Sequence, residues 1–250
     1  MTSNNDNPSP ARKPSRARRP VVLVTGTDTG VGKTIVTAAL ASALARFGTV
    51  AVYKAVQTGV LPSDPGDADE IRRLSGVREA TSGVRLREPM APVSAAAIDG
   101  VTLPTIGEHA ARVAALREDA EWVIVEGAGG VLVELDGVGG TIADIGRALG
   151  SDHGVDDATV VVTRAGLGTL NHTALTVEAL DRRGLPIVAV VIGSWPDQPG
   201  IIEVTNREQL ARLHALDAVP CGAAQLEPAR FQSEAATWLP RVLAGVGATP

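Results

Sequence analysis

Apolar residues gather along this chain into short runs, separated by longer stretches with helical spacing. Residues 21–24, 50–56, 122–125, 159–162 and 187–192 form five such runs bounded by turn residues, and each reads as a strand buried on both faces. Between them, 35–47, 67–75, 105–118, 141–149, 169–183 and 201–215 carry apolar positions at helical spacing with capping residues at their starts, and 228–243 reads as a closing helix. Alternation of strand and helix implies right-handed crossovers and a parallel sheet covered on both faces, an α/β fold. Ligands of such sheets bind beyond the carboxyl ends of the strands, so residues that follow the runs are the candidates for chemistry.

Composition supports this reading. With 250 residues, 44% of them apolar, the chain can bury one full core. Aromatic residues make up only 2%, so the core is aliphatic and the stacking platform of a single-strand nucleic-acid binder is missing. The first twenty residues stand apart, with Arg12, Lys13, Arg16, Arg18 and Arg19 against Asp6, four prolines and no apolar run. They read as a disordered basic tail, not as a secretory signal or membrane span, leaving residues 21–250 as a single domain. Five of the 23 basic and one of the 28 acidic residues lie in that tail, so the body holds 18 basic and 27 acidic residues. An acidic body argues against general nucleic-acid binding. Cys221 is the only cysteine and allows no internal disulfide, which points to a cytoplasmic protein.

Only three lysines occur, and two of them follow predicted strands. Lys33 closes Gly26-Thr27-Asp28-Thr29-Gly30-Val31-Gly32-Lys33-Thr34, between the first strand and its helix. Backbone N–H groups of such a loop converge on phosphate oxygens, the helix N-terminus adds partial positive charge, Lys33 reaches the outer phosphates and Thr34 is placed to ligate Mg²⁺. The leading glycine lies one residue further out than in the common phosphate-loop pattern, with Thr27 in its usual place. The fold class is thus a P-loop NTPase-like parallel β-sheet flanked by helices on both faces. Glycine serving only the backbone of a strand-to-helix turn is the alternative use of this loop.

Four further clusters fall on the same predicted edge. Lys54 sits in an otherwise apolar strand, where it either faces an anion or snorkels to the surface. Asp67 and Asp69 open a helix, as caps or with one of them approaching Mg²⁺. Glu126 ends a buried run ahead of Gly127-Ala128-Gly129-Gly130, the position of an acidic metal residue in phosphate-loop enzymes, or a plain strand-end turn. Gly168-Thr169-Leu170-Asn171 starts a helix. His172 is assigned no catalytic role.

Taken in order, Thr25 to Thr34, Lys54-Ala55-Val56-Gln57-Thr58-Gly59, Gly66-Asp67-Ala68, Val125 to Gly130 and Gly168 to His172 resemble the dethiobiotin synthetase family over roughly residues 21–230. The resemblance implies an ATP- and Mg²⁺-dependent cyclo-ligase of biotin biosynthesis that acts on 7,8-diaminopelargonate and CO₂ or bicarbonate. A carbamate forms, receives the γ-phosphoryl group, and is closed into a urea ring by the second amine. It implies catalytic roles for Lys54 and Lys33, and Thr34, Asp67 and Glu126 as metal ligands. The nucleotide would meet Thr29, Gly30, Val31, Gly32, Lys33, Thr34, Ile35, Asp67, Glu126, Gly127, Ala128, Gly129, Gly193, Ser194, Gly222 and Ala223. The diamine would meet Thr29, Lys54 and Thr58, together with Gly168, Thr169, Leu170 and Asn171 supplied across a homodimer interface. Two positions depart from the pattern. Ala55 replaces a proline, and Gly193-Ser194 stands where an Asn-Asp pair reads adenine. Base choice then falls to backbone groups or to residues 221–224, and another nucleoside triphosphate could serve. The alternative is a P-loop ATPase switch of the partition or septum-placement type.

Overall fold

A computed structural model describes residues 21–151 and 158–248, so the predicted basic tail lies outside the described residues. Seven strands form one parallel sheet: β1 (Val21–Gly26), β2 (Val50–Gln57), β3 (Glu79–Arg85), β4 (Trp122–Gly130), β5 (Ala158–Thr163), β6 (Ile187–Trp195) and β7 (Leu216–Pro220), in the order β3-β2-β4-β1-β5-β6-β7. The five predicted strands are all present. β3 and β7, the two edges, were not expected, nor was the helix α3 (Pro92–Asp99).

Alternate residues of each strand enter separate cores, as the pleat requires. On one face Val22, Val24, Val52, Ile124, Val160 and Val191 pack against α1 (Lys33–Leu44), α2 (Asp67–Ser75), α8 (Pro228–Trp238) and α9 (Pro240–Gly245). Their neighbours Leu23, Tyr53, Val123, Val125, Val161 and Val190 face α3, α4 (Ile106–Asp119), α5 (Ile142–Ser151) and α6 (Thr169–Asp181). The predicted closing helix is two helices, because Pro240 lacks the N–H needed to continue α8 and instead starts α9. Helix α7 (Ile201–Leu213) packs Leu210 on Ile192 at the far side of the sheet.

β1 lies between β4 and β5. The chain leaves β1 toward β2 on one side and crosses from β4 to β5 on the other, so the strand order reverses at β1. The crevice beyond the carboxyl ends of β1, β2 and β4 is where doubly wound sheets hold ligands.

Candidate active site

A cavity of about 670 Å³ fills that crevice, lined by Thr29, Gly30, Gly32, Lys33, Thr34, Lys54, Thr58, Asp67, Glu126, Ala128 and Gly129 among the predicted residues. Four elements supply its charges. The start of α1 brings Lys33, β2 brings Lys54, the start of α2 brings Asp67, and β4 brings Glu126.

Lys54 does not snorkel. It is 4% exposed, with Nζ donating to Glu126 Oε1 at 2.6 Å and to the Gly127 carbonyl at 3.0 Å, and lying 2.8 Å from Asp67 Oδ2. Burial alone would depress its pKa, but Glu126 and Asp67 outweigh it and hold the ammonium above its ordinary value. The register of β2 on β4 sets Lys54 opposite Glu126, so the contact is built into the sheet. Glu126, fully buried, also accepts from Thr34 Oγ1 at 3.0 Å, while its second oxygen, Oε2, has no partner.

The two acids at the start of α2 divide the roles that their sequence left open. Asp69 Oδ2 accepts from the Gly66 N–H at 2.8 Å, which caps the helix, and its side chain pairs with Arg72. Asp67 turns to Lys54 instead. Its own N–H donates to Gln57 Oε1 at 2.6 Å, so the strand-end glutamine orients the first turn of α2.

Lys33 is buried and donates to the Asp28 carbonyl at 2.9 Å. Burial first, and the nearby Lys54 second, lower its pKa to about 8. A dianionic or trianionic phosphate beside it would reverse both effects.

Several predicted residues lie elsewhere. Val31 is buried, and Ile35, in the first turn of α1, packs partly buried against the core; neither lines the cavity. Gly193, Ser194, Gly222 and Ala223 do not line the cavity, but they adjoin one another at the ends of β6 and β7, where the Cys221 N–H bonds the Trp195 carbonyl at 2.7 Å. Arg207 lies over the Trp195 ring at 4.6 Å, so that indole face is taken. A Cβ on Gly193 would sit 2.0 Å from the Val31 carbonyl oxygen, and one on Gly32 2.7 Å from the Gly193 oxygen. Phosphate loop and β6 touch backbone to backbone there.

At α6, Gly168 adopts φ 89° and starts the helix, and Asn171 and Leu167 are exposed. Thr169 can meet a ligand only through its main chain. Its side chain is fully buried and bonded to Thr163 at 2.7 Å. Leu170 packs beside Ile192 and Leu210.

Val56, Gln57, Gly59, Pro89, Met90, Ala91, Pro92 and Val133 complete the cavity wall and were not singled out as site residues from sequence. Val56, Gln57 and Gly59 stood within a recognised motif. The wall at 89–92 is the turn that leads into the unexpected helix α3, with Pro92 at the helix's first position, and no signature marks it.

Comparison with known proteins agrees with this geometry. A family described as "AAA domain" matches residues 21–222. ATP-dependent dethiobiotin synthetase BioD of Rhodococcus jostii is 46% identical over 87% of this chain and 94% of its own length. The corresponding synthetase of Mycobacterium avium is 49% identical over 86% and 93%, and that of Streptomyces coelicolor 46% over 90% and 94%. The chain belongs to the dethiobiotin synthetase family. In fold alone it is also similar to Cyanothece McdA, solved as an ATP complex, with TM-score 0.54 and 14% identity over 94% of this chain and 98% of that one. The Pyrococcus furiosus cell division ATPase MinD gives 0.53 and 17% over 92% and 99%. Those two share the overall fold with this chain. They carry no argument for a switch function here.

Proposed function

We propose that the chain is an ATP-dependent dethiobiotin synthetase in which Lys33 and Lys54 act on one transferred phosphoryl group. The observation that carries this reading is the meeting of both buried lysines with Thr34, Asp67 and Glu126 around a single cavity at the carboxyl ends of β1, β2 and β4. Family membership supplies the substrates: the two amines of 7,8-diaminopelargonate, CO₂ or bicarbonate, and a nucleoside triphosphate.

One amine adds to CO₂ and gives a carbamate. Lys54, close to the cavity wall formed by Thr58, would pair with the carbamate oxygens, and Thr58 would hold the carbamate by its hydroxyl. The γ-phosphoryl group then passes to a carbamate oxygen as the bond to the β-phosphate breaks. Its equatorial oxygens would be met by Lys33 and by loop N–H groups from Thr29 to Ile35. The second amine attacks the carbonyl carbon, the ring closes, and phosphate leaves with the carbonyl's activated oxygen. Charge neutralisation and alignment account for most of the catalysis in phosphoryl transfer, and two lysines on one group serve that purpose.

Thr34, Asp67 and Glu126 fit Mg²⁺. They offer hard oxygen donors, and Glu126 Oε2 is a buried oxygen without a partner. Two carboxylates and a hydroxyl suit an ion that prefers one or two carboxylates, waters and substrate phosphates. Bound Mg²⁺ would neutralise charge on the outer phosphates. With substrate in the cavity, Lys54 would exchange Glu126 for substrate oxygens.

In the family arrangement the diamine's carboxylate tail would reach Gly168 to Asn171 of a second subunit, where the main-chain N–H groups opening α6 suit an anion. That makes the homodimer the working form. No described helix is long and apolar enough to cross a membrane, and a cytoplasmic location fits the substrates.

The decisive assay is phosphate release with Mg²⁺ and ATP, with and without diamine and bicarbonate, with product mass read in parallel. Diamine-dependent release with a dethiobiotin mass is the expected result. Release indifferent to the diamine, with no new product, would overturn the reading in favour of an ATPase switch.

A further inference from the structure

Four threonine hydroxyls meet at the end of β5. Thr163 Oγ1 accepts from Thr173 Oγ1 at 3.0 Å and bonds Thr169 Oγ1 at 2.7 Å and Thr27 Oγ1 at 3.3 Å. A hydroxyl has one donor and two acceptor positions, so all the capacity of Thr163 is used. Thr163, Thr169 and Thr173 are each 0% exposed. Thr27 belongs to the phosphate loop, while Thr169 and Thr173 lie in the first two turns of α6.

Packing alone does not call for this cluster. Valine has the same shape, and a set of hydroxyls exchanged together for methyl groups is close to neutral in stability. Buried hydroxyls are costly unless bonded, but a fully bonded network fixes orientation, which apolar contact does not. The three partners of Thr163 belong to two loops that carry the proposed ligands: the phosphate loop and the start of α6.

We infer that Thr163 is a positioning residue for the synthetase reaction, holding the first turn of α6 in the orientation that receives the diamine's carboxylate tail and tying it to the phosphate loop. The inference rests on the synthetase reading. Its effect is asymmetric. Two of its three bonds, at 2.7 and 3.0 Å, reach α6, and the third, at 3.3 Å, reaches the phosphate loop, where the Thr27 N–H also bonds the Val162 carbonyl at 2.9 Å. The turn before α6 is tied down separately by Asn206, whose Nδ2 donates to the Ala165 and Gly166 carbonyls at 2.9 and 3.1 Å, so the hub sets the orientation of the first turn of α6 and not its attachment. Losing the hub therefore disturbs the diamine site more than the nucleotide site. Lys54 lies on β2, outside this network, and the chemical step is spared.

The test compares Thr163→Val, Thr163→Ser and the triple variant Thr163→Val/Thr169→Val/Thr173→Val by steady-state kinetics and thermal unfolding. Thr163→Val should raise the KM for 7,8-diaminopelargonate about tenfold, the size of one lost buried hydrogen bond. Its KM for ATP should rise no more than about threefold and its kcat should stay within about threefold. Thr163→Ser should restore the diamine KM. The triple variant leaves only the half-buried Thr27 hydroxyl without its partner, where water can replace it, and should unfold near the wild-type temperature yet keep the raised KM. A triple variant with wild-type KM, or a serine variant no better than valine, would overturn the inference and leave the cluster a packing feature. If Thr163→Val does not fold, the serine and triple variants decide between the same outcomes. Wild-type protein that makes no dethiobiotin would instead sink the synthetase reading and the diamine half of the inference with it. The ratio of ATP dissociation constants between wild type and variant then decides whether the hub sets the phosphate loop.

Discussion

Replacing Lys54 by methionine separates what that residue does for the fold from what it does for the reaction. Its ammonium lies 2.6 Å from Glu126 and 2.8 Å from Asp67, and Glu126 is 0% exposed. Removing one partner of a buried ion pair leaves the other charge uncompensated, which costs about 3–5 kcal/mol. A chain of this size loses roughly 2–4 °C in Tm per kcal/mol. Lys54→Met should therefore unfold roughly 6–20 °C below wild type when no metal or nucleotide is added. The methionine fills the space of the aliphatic stem, so cavity formation contributes little.

Adding Glu126→Gln to that variant removes the stranded charge. The amide keeps the volume and still accepts from Thr34, so the double variant should recover most of the lost Tm. Activity should not recover with it. Loss of one preorganised donor at a transferring group typically costs about 10²–10³ in rate, and the double variant lacks a metal ligand as well. The assay is paired: thermal unfolding by circular dichroism, and dethiobiotin formation by mass at saturating substrates. A single variant as stable as wild type, or a double variant no more stable than the single, would refute the argument that Lys54 is there to balance Glu126. Recovery of activity in the double variant would refute its role in the reaction.

Three further outcomes follow from other contacts. Gly193→Ala places a methyl 2.0 Å from the Val31 carbonyl oxygen; overpacking of this kind costs about 1–3 kcal/mol, and because the loop must shift to relieve it, titration with a fluorescent nucleotide should show affinity falling at least about tenfold. Glu126→Gln alone should raise the Mg²⁺ concentration needed for half-maximal phosphate release by at least about tenfold, since a neutral amide is a poorer ligand for a hard cation. His109, fully buried against Tyr53 with Nδ1 2.7 Å from the phenol oxygen and Nε2 without a partner, is held below its ordinary value of 6.5 by burial. A depressed histidine contributes stability that is present above the unfolded value and lost as pH falls below it, at most about 1.4 kcal/mol per pH unit. Tm should thus drop between about pH 7 and pH 5.5, and less steeply in His109→Gln; an unchanged slope would mean that other groups carry the acid sensitivity.

The strands that sequence reveals are those buried on both faces, because only they are continuous apolar runs. Edge strand β3 reads Glu-Ala-Thr-Ser-Gly-Val-Arg with Ala80 its one fully buried residue, and its Gly83 is needed where a Cβ would meet the Tyr53 hydroxyl at 2.3 Å. Edge strand β7 hides behind Asp217, a carboxylate whose pKa burial raises and which accepts from the N–H groups of Arg241 and Val242 at the start of α9. The phosphate loop, Lys54 and Glu126 were legible because their chemistry is local to a motif. Which of Asp67 and Asp69 caps the helix was not, since the answer depends on Lys54, thirteen residues away in sequence and on another element.

Gly193 shows how an absence in sequence becomes a requirement in structure. Its sequence neighbourhood shows only that a base-reading side chain is missing. The geometry gives a cause: the Val31 carbonyl occupies the space in which any side chain would begin, and the Gly193 carbonyl in turn closes on Gly32, which holds φ 97°. The two glycines let β6 support the phosphate loop by direct backbone contact. An asparagine introduced at 193 would therefore displace the loop before it could read a base, and in the proposed nucleotide site base choice would fall to Ser194, to backbone groups or to residues 221–224. A site that selects through so few hydrogen bonds discriminates weakly among bases.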